Sequence, residues 1–357
     1  MLFRLSSAAE LTAAELDVWS RIQRDNPDLA NPFFRPEFTR AVAAVRDDVE
    51  VAVFLEDARA VGFFPFQRQR ERRGLPVGGP LSNRHGAIVS PQTEWSLEEL
   101  MRACHLSRWD FDQLTVAQSQ FAAHHWTQQQ SRYLDLSSGF EAYLTQRRRH
   151  AAKHIAKVFS RRRKLEREIG TVRVERHTPD RGLLHQLIEW KSAQYRRSRL
   201  LDVFSLGWTK QLLEQLFDHP TGELESLLSV LFVSDEPAAI SFGLQTAGTF
   251  HGWFTSYDHR FAKYGPGIMM MLELARSLAE TGTHRMVLGA GNEDYKRRLA
   301  TAAVPVAKGS VVLDRIARTI HRRWYETCAW AKSSPLRKPA LMPVRWLRSI
   351  RDHRVFQ

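Results

Sequence analysis

Two hydrophobic rhythms alternate along the chain, and the points where one gives way to the other mark its elements. Apolar positions recur every three or four residues over 11–25, 37–45, 96–104, 140–168, 183–197, 208–216 and 268–280, predicting helices, and a polar stretch at 292–300 reads as one more. Thr12 is placed to cap the first of these, while Gly170 and Gly282 are placed to end the 140–168 and 268–280 helices. Alternating or continuous short apolar runs predict strands at 49–55, 60–67, 111–116, 171–176, 227–233, 238–245, 249–257, 285–288 and 304–313. The three strands from 227 to 257 are joined by polar turns, Ser234-Asp-Glu-Pro and Thr246-Ala-Gly, and so form a meander.

The order repeats. Each half runs helices, then a hairpin with an acidic turn (Glu56-Asp, Asp235-Glu), then a further helix and strand. Sequence identity between the halves is slight, but the shared order implies duplicated topology. The fold class expected is α/β (α+β), with a mixed, mostly antiparallel sheet flanked by helices in each of two tandem domains. The boundaries read as 1–136, 137–314 and a separate tail at 315–357.

Composition changes the picture at one point only. The net charge of +13 is concentrated. Residues 147–176 hold twelve Lys/Arg against three Glu, residues 315–354 hold eleven against two acids, and the remainder is mildly acidic. Basicity therefore belongs to two segments. The two cysteines, Cys104 and Cys328, lack metal-ligand spacing and suit a reducing compartment. No apolar run approaches the ~20 residues of a membrane span, and the first residues lack a signal peptide's apolar core. The expected location is the cytoplasm.

The chemistry gathers in the second half. Gly265-Pro-Gly267 lies between a strand and an apolar helix, and the first amides of a helix are unpaired and carry a partial positive charge. Tyr264, Gly265, Pro266, Gly267 and Ile268 thus suit an anionic cofactor, with Arg260 and Lys263 nearby to add charge. An ordinary proline-started helix would leave the same trace, and Met269–Leu272 read as core. Gly291-Asn-Glu-Asp-Tyr-Lys follows a buried strand, where ligands bind in open α/β sheets. Asp258, Glu293 and Asp294 are candidate bases, although Glu293 and Asp294 equally suit a helix's first turn. Asn292 and Lys296 are placed to meet a substrate. Trp253, in the meander, is the tryptophan best placed to stack on an acceptor, whereas Trp190 and Trp208 read as core and His251 as a satisfied strand histidine.

Asn31-Pro-Phe-Phe-Arg-Pro-Glu-Phe, the basic helix near 147–163, Tyr257-Asp with Lys263-Tyr-Gly-Pro-Gly, and Gly291-Asn-Glu-Asp-Tyr-Lys occur in one order over about 31–312. Together they resemble the CelD/BcsL-type acetyltransferases of the GNAT superfamily, relatives of the FemAB aminoacyl transferases. The resemblance implies two GNAT-like domains, the second binding acetyl-CoA or another acyl-CoA through a loop that includes Tyr257, with no metal. It implies Tyr295 as the acid that protonates the thiolate, and a sugar or polysaccharide precursor as acceptor. Ala262 stands where that superfamily's phosphate loop carries Arg or Gln, so Arg260 or Lys263 would have to compensate.

The basic segments leave alternatives. The 147–163 cluster reads as a solvated linker helix, or as a surface for tRNA, anionic lipid or an acidic polysaccharide precursor, with tRNA the weaker reading because no aromatic-interleaved RNA motif accompanies it. His321-Arg-Arg-Trp-Tyr, Ala329-Trp-Ala-Lys and Val344-Arg-Trp-Leu-Arg-Ser-Ile-Arg pair tryptophan with arginine, which suits peripheral contact with the inner membrane. The function expected is transfer of an acyl group to an amine or hydroxyl. Its rivals are a FemAB-like aminoacyl transferase using aminoacyl-tRNA and a non-catalytic scaffold of a polysaccharide machine.

Overall fold

The computed structural model describes residues 1–220 and 222–333. The described chain divides into two compact units: unit 1 comprises 1–29, 33–129 and 305–333, and unit 2 comprises 30–32 and the described residues of 130–304.

In unit 1 the strands β1 (Leu2–Ser7), β2 (Val49–Glu56), β3 (Arg59–Gln69) and β4 (Arg73–Leu75) run antiparallel in that order. The short β5 (Ile88–Val89) pairs with β3. A parallel step leads from β4 to β6 (Arg108–Thr115), and β13 (Ala302–Val312) closes the row antiparallel to β6. Helices α1 (Ala13–Asp25), α2 (Pro36–Ala43) and α3 (Leu97–Ala103) also belong to this unit. Thr12 and Glu15 close a reciprocal capping box at the start of α1, as the Thr12 position implied. An aromatic core that includes Phe54, Phe64, Trp109 and Phe121 fills the unit.

Unit 2 repeats the plan. β8 (Val172–Glu175), β9 (Glu225–Val233), β10 (Glu236–Thr246) and β11 (Thr249–Tyr257) are antiparallel, a parallel step leads to β12 (Arg285–Ala290), and β7 (His125–Asp135) ends the row antiparallel to β12. The duplication read from element order is therefore a duplication of strand order. One exchange accompanies it. The closing strand of unit 2 leads out of the first half of the sequence, and the closing strand of unit 1 comes from the chain's far end.

Unit 2 holds α4 (Phe140–Glu168), α5 (Arg181–Arg197), α6 (Gly207–Asp218), α7 (Pro266–Glu280) and α8 (Asp294–Leu299). Met269, Met270, Leu272, Leu274 and Leu278 of α7 are buried in its core, as expected of that run. α4 corrects one expectation. It is not a solvated linker: Tyr143, Leu144, Arg147, Ile155, Val158 and Leu165 form a buried stripe, interrupted by a break in helical geometry at Ala151. Tyr143 and Arg147 donate to the carbonyls of Leu299 and Ala300, which lie at the end of α8 and lack partners within that helix.

Strands β1, β4, β5 and β7 were not anticipated, and the element at 292–300 is shorter than expected. α9 (Arg315–Ser333) carries the described part of the basic tail, whereas Val344–Arg351 lies outside the described residues. His321 and Tyr325 of α9 meet Arg108 and Trp126, leaving Ile316, Ile320 and Trp324 exposed. Among the described residues no helix is long and apolar enough to cross a membrane.

The meander is irregular where it matters. Phe242 pairs with Phe254 but Gly243 pairs with Gly252, so Trp253 is an extra residue that bulges β11. Gly243 permits this because the Phe250 ring occupies its side-chain space: a Cβ there would lie 2.2 Å from the ring and 2.7 Å from the His251 carbonyl oxygen. Gly243→Val should therefore cost about 3 kcal/mol, the upper end of ordinary overpacking. A urea midpoint close to that of the wild type would show that β11 adjusts without strain.

Candidate active site at the opening between β11 and β12

β11 and β12 share a ladder over only three pairs, Thr249–Arg285, Phe250–Met286 and His251–Val287. Each strand then continues without pairing to the other. His251 sits where the ladder ends, fully buried, with Nδ1 3.1 Å from Asn31 Nδ2. A side chain added at Gly289 of β12 would lie 3.8 Å from its Nε2. Asn31, from the Asn-Pro-Phe-Phe motif, thus helps set the histidine at the start of the opening.

β11 leads through a turn of 3-10 helix, His259–Tyr264, to Gly265, which has φ 72° and serves both as its C-cap and as the N-cap of α7. Gly265 has no side chain with which to cap the helix, so the first α7 amides have no capping side chain there. A cavity of about 260 Å³ opens at this point. Tyr264, Gly265 and Ile268 form one wall, His154, Lys157, Val158 and Arg161 of α4 a second, and Asp294 and Arg298 of α8 a third. Residues 154, 157, 158 and 161 fall at helical spacing and so project from one face of α4. Arg161 comes closest to the turn: a Cβ on Gly265 would be 3.2 Å from its Nη1.

Three cationic side chains and a helix N-terminus therefore converge on one hollow. Lys157 and Arg161 make no ion pair among the described residues, while Arg298 is held by Asp294 at 2.6 Å. Burial, reinforced by the positive charge of Arg298, Lys157 and Arg161, holds the His154 pKa below its ordinary value, so the ring is neutral at neutral pH. The hollow can accept the negative charge of a phosphate or pyrophosphate.

The remaining candidates are distributed around it. Arg260 is occupied by Asp258 at 2.7 Å and Glu236 at 2.9 Å, and Lys263 lies 3.7 Å from Glu168; neither lines the cavity. Tyr264 donates to Glu168 at 2.7 Å. Tyr257 is more than a third exposed and lies near Gly267, whose added Cβ would be 3.5 Å from the ring. Burial opposes ionisation of Asp258, but the Arg260 bonds outweigh it and hold the carboxyl below the usual range. The bond from Arg298, helped by Arg297, lowers Asp294 despite some desolvation. Asn292 and Glu293 are exposed at the approach to α8; Glu293 occupies the N-cap position without a side-chain cap bond. Half-buried Tyr295 packs on the core of unit 2, and burial, aided by the Glu293 charge, pushes its phenol up to about 12. Trp253 packs between Phe242 and Phe254.

Two lysines complete the arrangement. Lys296 is buried and donates to the Ala290 carbonyl at 2.8 Å, with Glu293 at 3.3 Å. Lys191 of α5 donates to the Thr255 carbonyl at 3.2 Å, and burial with the nearby Lys296 charge lowers its pKa to about 8.

Residues 152–297 match the family model described as an acetyltransferase (GNAT) domain. The matched segment holds the opening, both lysines and every lining residue of the cavity except Arg298. This part of the chain is similar to a GNAT acetyltransferase domain. FemX shares 11% identity at a TM-score of 0.57, covering 90% of this chain and all of its own. A conserved protein of unknown function from Bacteroides thetaiotaomicron reaches 0.54 at 13% identity, covering 88% and 100%. L-PGS from Bacillus licheniformis reaches 0.52 at 14%, covering 86% and 96%. At such identities the likeness is one of fold. No curated protein matches the sequence.

Lys157, Arg161 and Arg298 escaped the sequence reading because they sit in charge runs whose helical phase was not tied to Gly265. Lys191 gave no sequence signal at all.

The Lys191 titration has a measurable consequence. An unfolded lysine titrates near 10.5 and this one near 8, so between those values the unfolded chain holds more protons than the folded one. Native stability should therefore rise as pH climbs from about 8 to 10.5. Urea midpoints of the wild type should gain on those of Lys191→Met across that window. A constant difference between the two would show an ordinary lysine.

Proposed function

We propose that the protein is an acyltransferase that moves an acyl group, most simply acetyl, from acyl-CoA to an amine or hydroxyl of a sugar or polysaccharide precursor. The observation that carries this reading is the opening between β11 and β12 beside a cationic hollow at the α7 N-terminus. We take the thioester to lie between the strands where their ladder ends, while the hollow supplies positive charge for the cofactor's pyrophosphate. Arg161 and Lys157 take the part expected of Arg260 and Lys263, compensating for Ala262 from another helix. The GNAT match over the same residues supports the donor assignment.

Transfer requires the acceptor to lose a proton as its nitrogen or oxygen attacks the thioester carbonyl, and the C–S bond to break with a proton reaching the thiolate. Tyr295, protonated at neutral pH, is suited to supply that second proton. Glu293 is the base we favour among the acids: its cationic partner is Lys296 at 3.3 Å, a looser contact than those that tie Asp258 and Asp294 to arginines at 2.6–3.1 Å. Trp253 and Asn292 bound the approach of the acceptor. Ile316, Ile320 and Trp324, exposed at four-residue intervals on α9 among arginines, support contact with a membrane surface that carries the acceptor.

Calorimetry with CoA, acetyl-CoA and aminoacyl-tRNA, each at low and moderate salt, tests the reading. Wild type should bind CoA, Arg161→Glu should weaken it at least about tenfold, the size of one charge-assisted contact, and Gly267→Trp should abolish it. Binding to aminoacyl-tRNA alone would favour the aminoacyl-transferase reading, and no donor binding would favour the scaffold. Tyr295→Phe should lower kcat about 100-fold while CoA affinity holds. Unchanged turnover in that variant would remove the tyrosine from the proton transfer.

A further inference from the structure

Once β11 and β12 stop pairing, backbone carbonyls beyond the ladder's end need other donors. On β11 the Thr255 carbonyl receives Lys191, and on β12 the Ala290 carbonyl receives Lys296. Two ammonium groups therefore mark the two strands of the opening, one reaching in from α5 and the other from α8. Lys296 has a carboxylate, that of exposed Glu293, at 3.3 Å. Among the described residues Lys191 has none: its partners there are the Thr255 carbonyl, Gln194 Oε1 at 3.1 Å and the face of the Tyr195 ring at 5.4 Å. A half-buried amine with only neutral partners, repelled by a second amine, stands in a field that an anion would relieve.

We propose that the acceptor carries an anionic oxygen group, a phosphate ester or a carboxylate, bound between Lys191 and Lys296 at the opening between β11 and β12. This rests on the acyltransferase reading and narrows it: the acceptor is an acidic precursor, held by its charge while its amine or hydroxyl faces the thioester. The site is separate from the hollow at α7, whose lining includes neither lysine. The bound anion would favour the charged form of Lys191 and so offset the cost of burying it.

Methyl phosphate and acetate are the probes, followed by 31P and 13C line broadening on the full chain at constant ionic strength. Measurements are made without CoA and with CoA added to occupy the α7 hollow. One of the two probes should bind wild type with CoA present, and the stronger identifies the class of anion. Lys191→Met should weaken that binding at least about tenfold and Lys191→Arg should retain most of it, thermal unfolding confirming that both variants are folded. Arg161→Glu should keep this binding while its affinity for CoA falls at least about tenfold. Binding unaffected by Lys191→Met and Lys296→Met, lost only in Arg161→Glu, or absent for both probes would overturn the proposal. Failure of CoA to bind wild type would instead defeat the donor reading, and the Lys191 dependence measured without CoA would still report on the anion site.

Discussion

A strand ladder that ends after three pairs leaves backbone groups that must find partners elsewhere, and unit 2 is organised around that constraint. β11 and β12 are held together at Thr249–His251 and then go their own ways. The bulge at Trp253, made room for by Gly243, bends β11 at the place where pairing stops. Asn31 fixes His251 at the last rung. Beyond it, Lys191 and Lys296 satisfy carbonyls that a continuous parallel pair would have had to place differently. A buried lysine is a costly way to satisfy a carbonyl, which argues that the opening serves a purpose other than stability.

The same logic governs the turn that follows. A helix start with glycine at its cap position leaves its first amides without a side-chain partner, and here α4 brings Lys157 and Arg161 to the same place instead of a carboxylate. α4 can do so because it is a packed helix. Its buried stripe, and the bonds from Tyr143 and Arg147 to the end of α8, fix α4 and α8 against one another, and these are the two helices that form the hollow's other walls. The basic cluster therefore combines a structural face with an electrostatic one.

Much of this was legible in the sequence, and the limits have physical causes. The meander, α7 with its Gly-Pro-Gly start and the α8 motif announce themselves by local periodicity and turn chemistry. β7 does not: His125–Asp135 carries Gln128-Gln-Gln at its centre and becomes a strand because β12 offers it partners. β1, with β2 as its one neighbour among the described residues, likewise reads as a half-polar end. In α4 the apolar positions were present at helical spacing but were masked by the density of arginine. Which of those arginines would meet Gly265, about a hundred residues away, is a property of packing that no local pattern encodes.

We propose that the α7 N-terminus and the Arg161 face of α4 together receive the phosphates of an acyl-CoA. Amide NMR of 15N-labelled protein titrated with CoA addresses it directly. The amides of Gly265, Gly267 and Ile268, with the Arg161 Nε resonance, should shift together and saturate at one concentration. Saturable CoA binding that moves other resonances and leaves these four in place would contradict it.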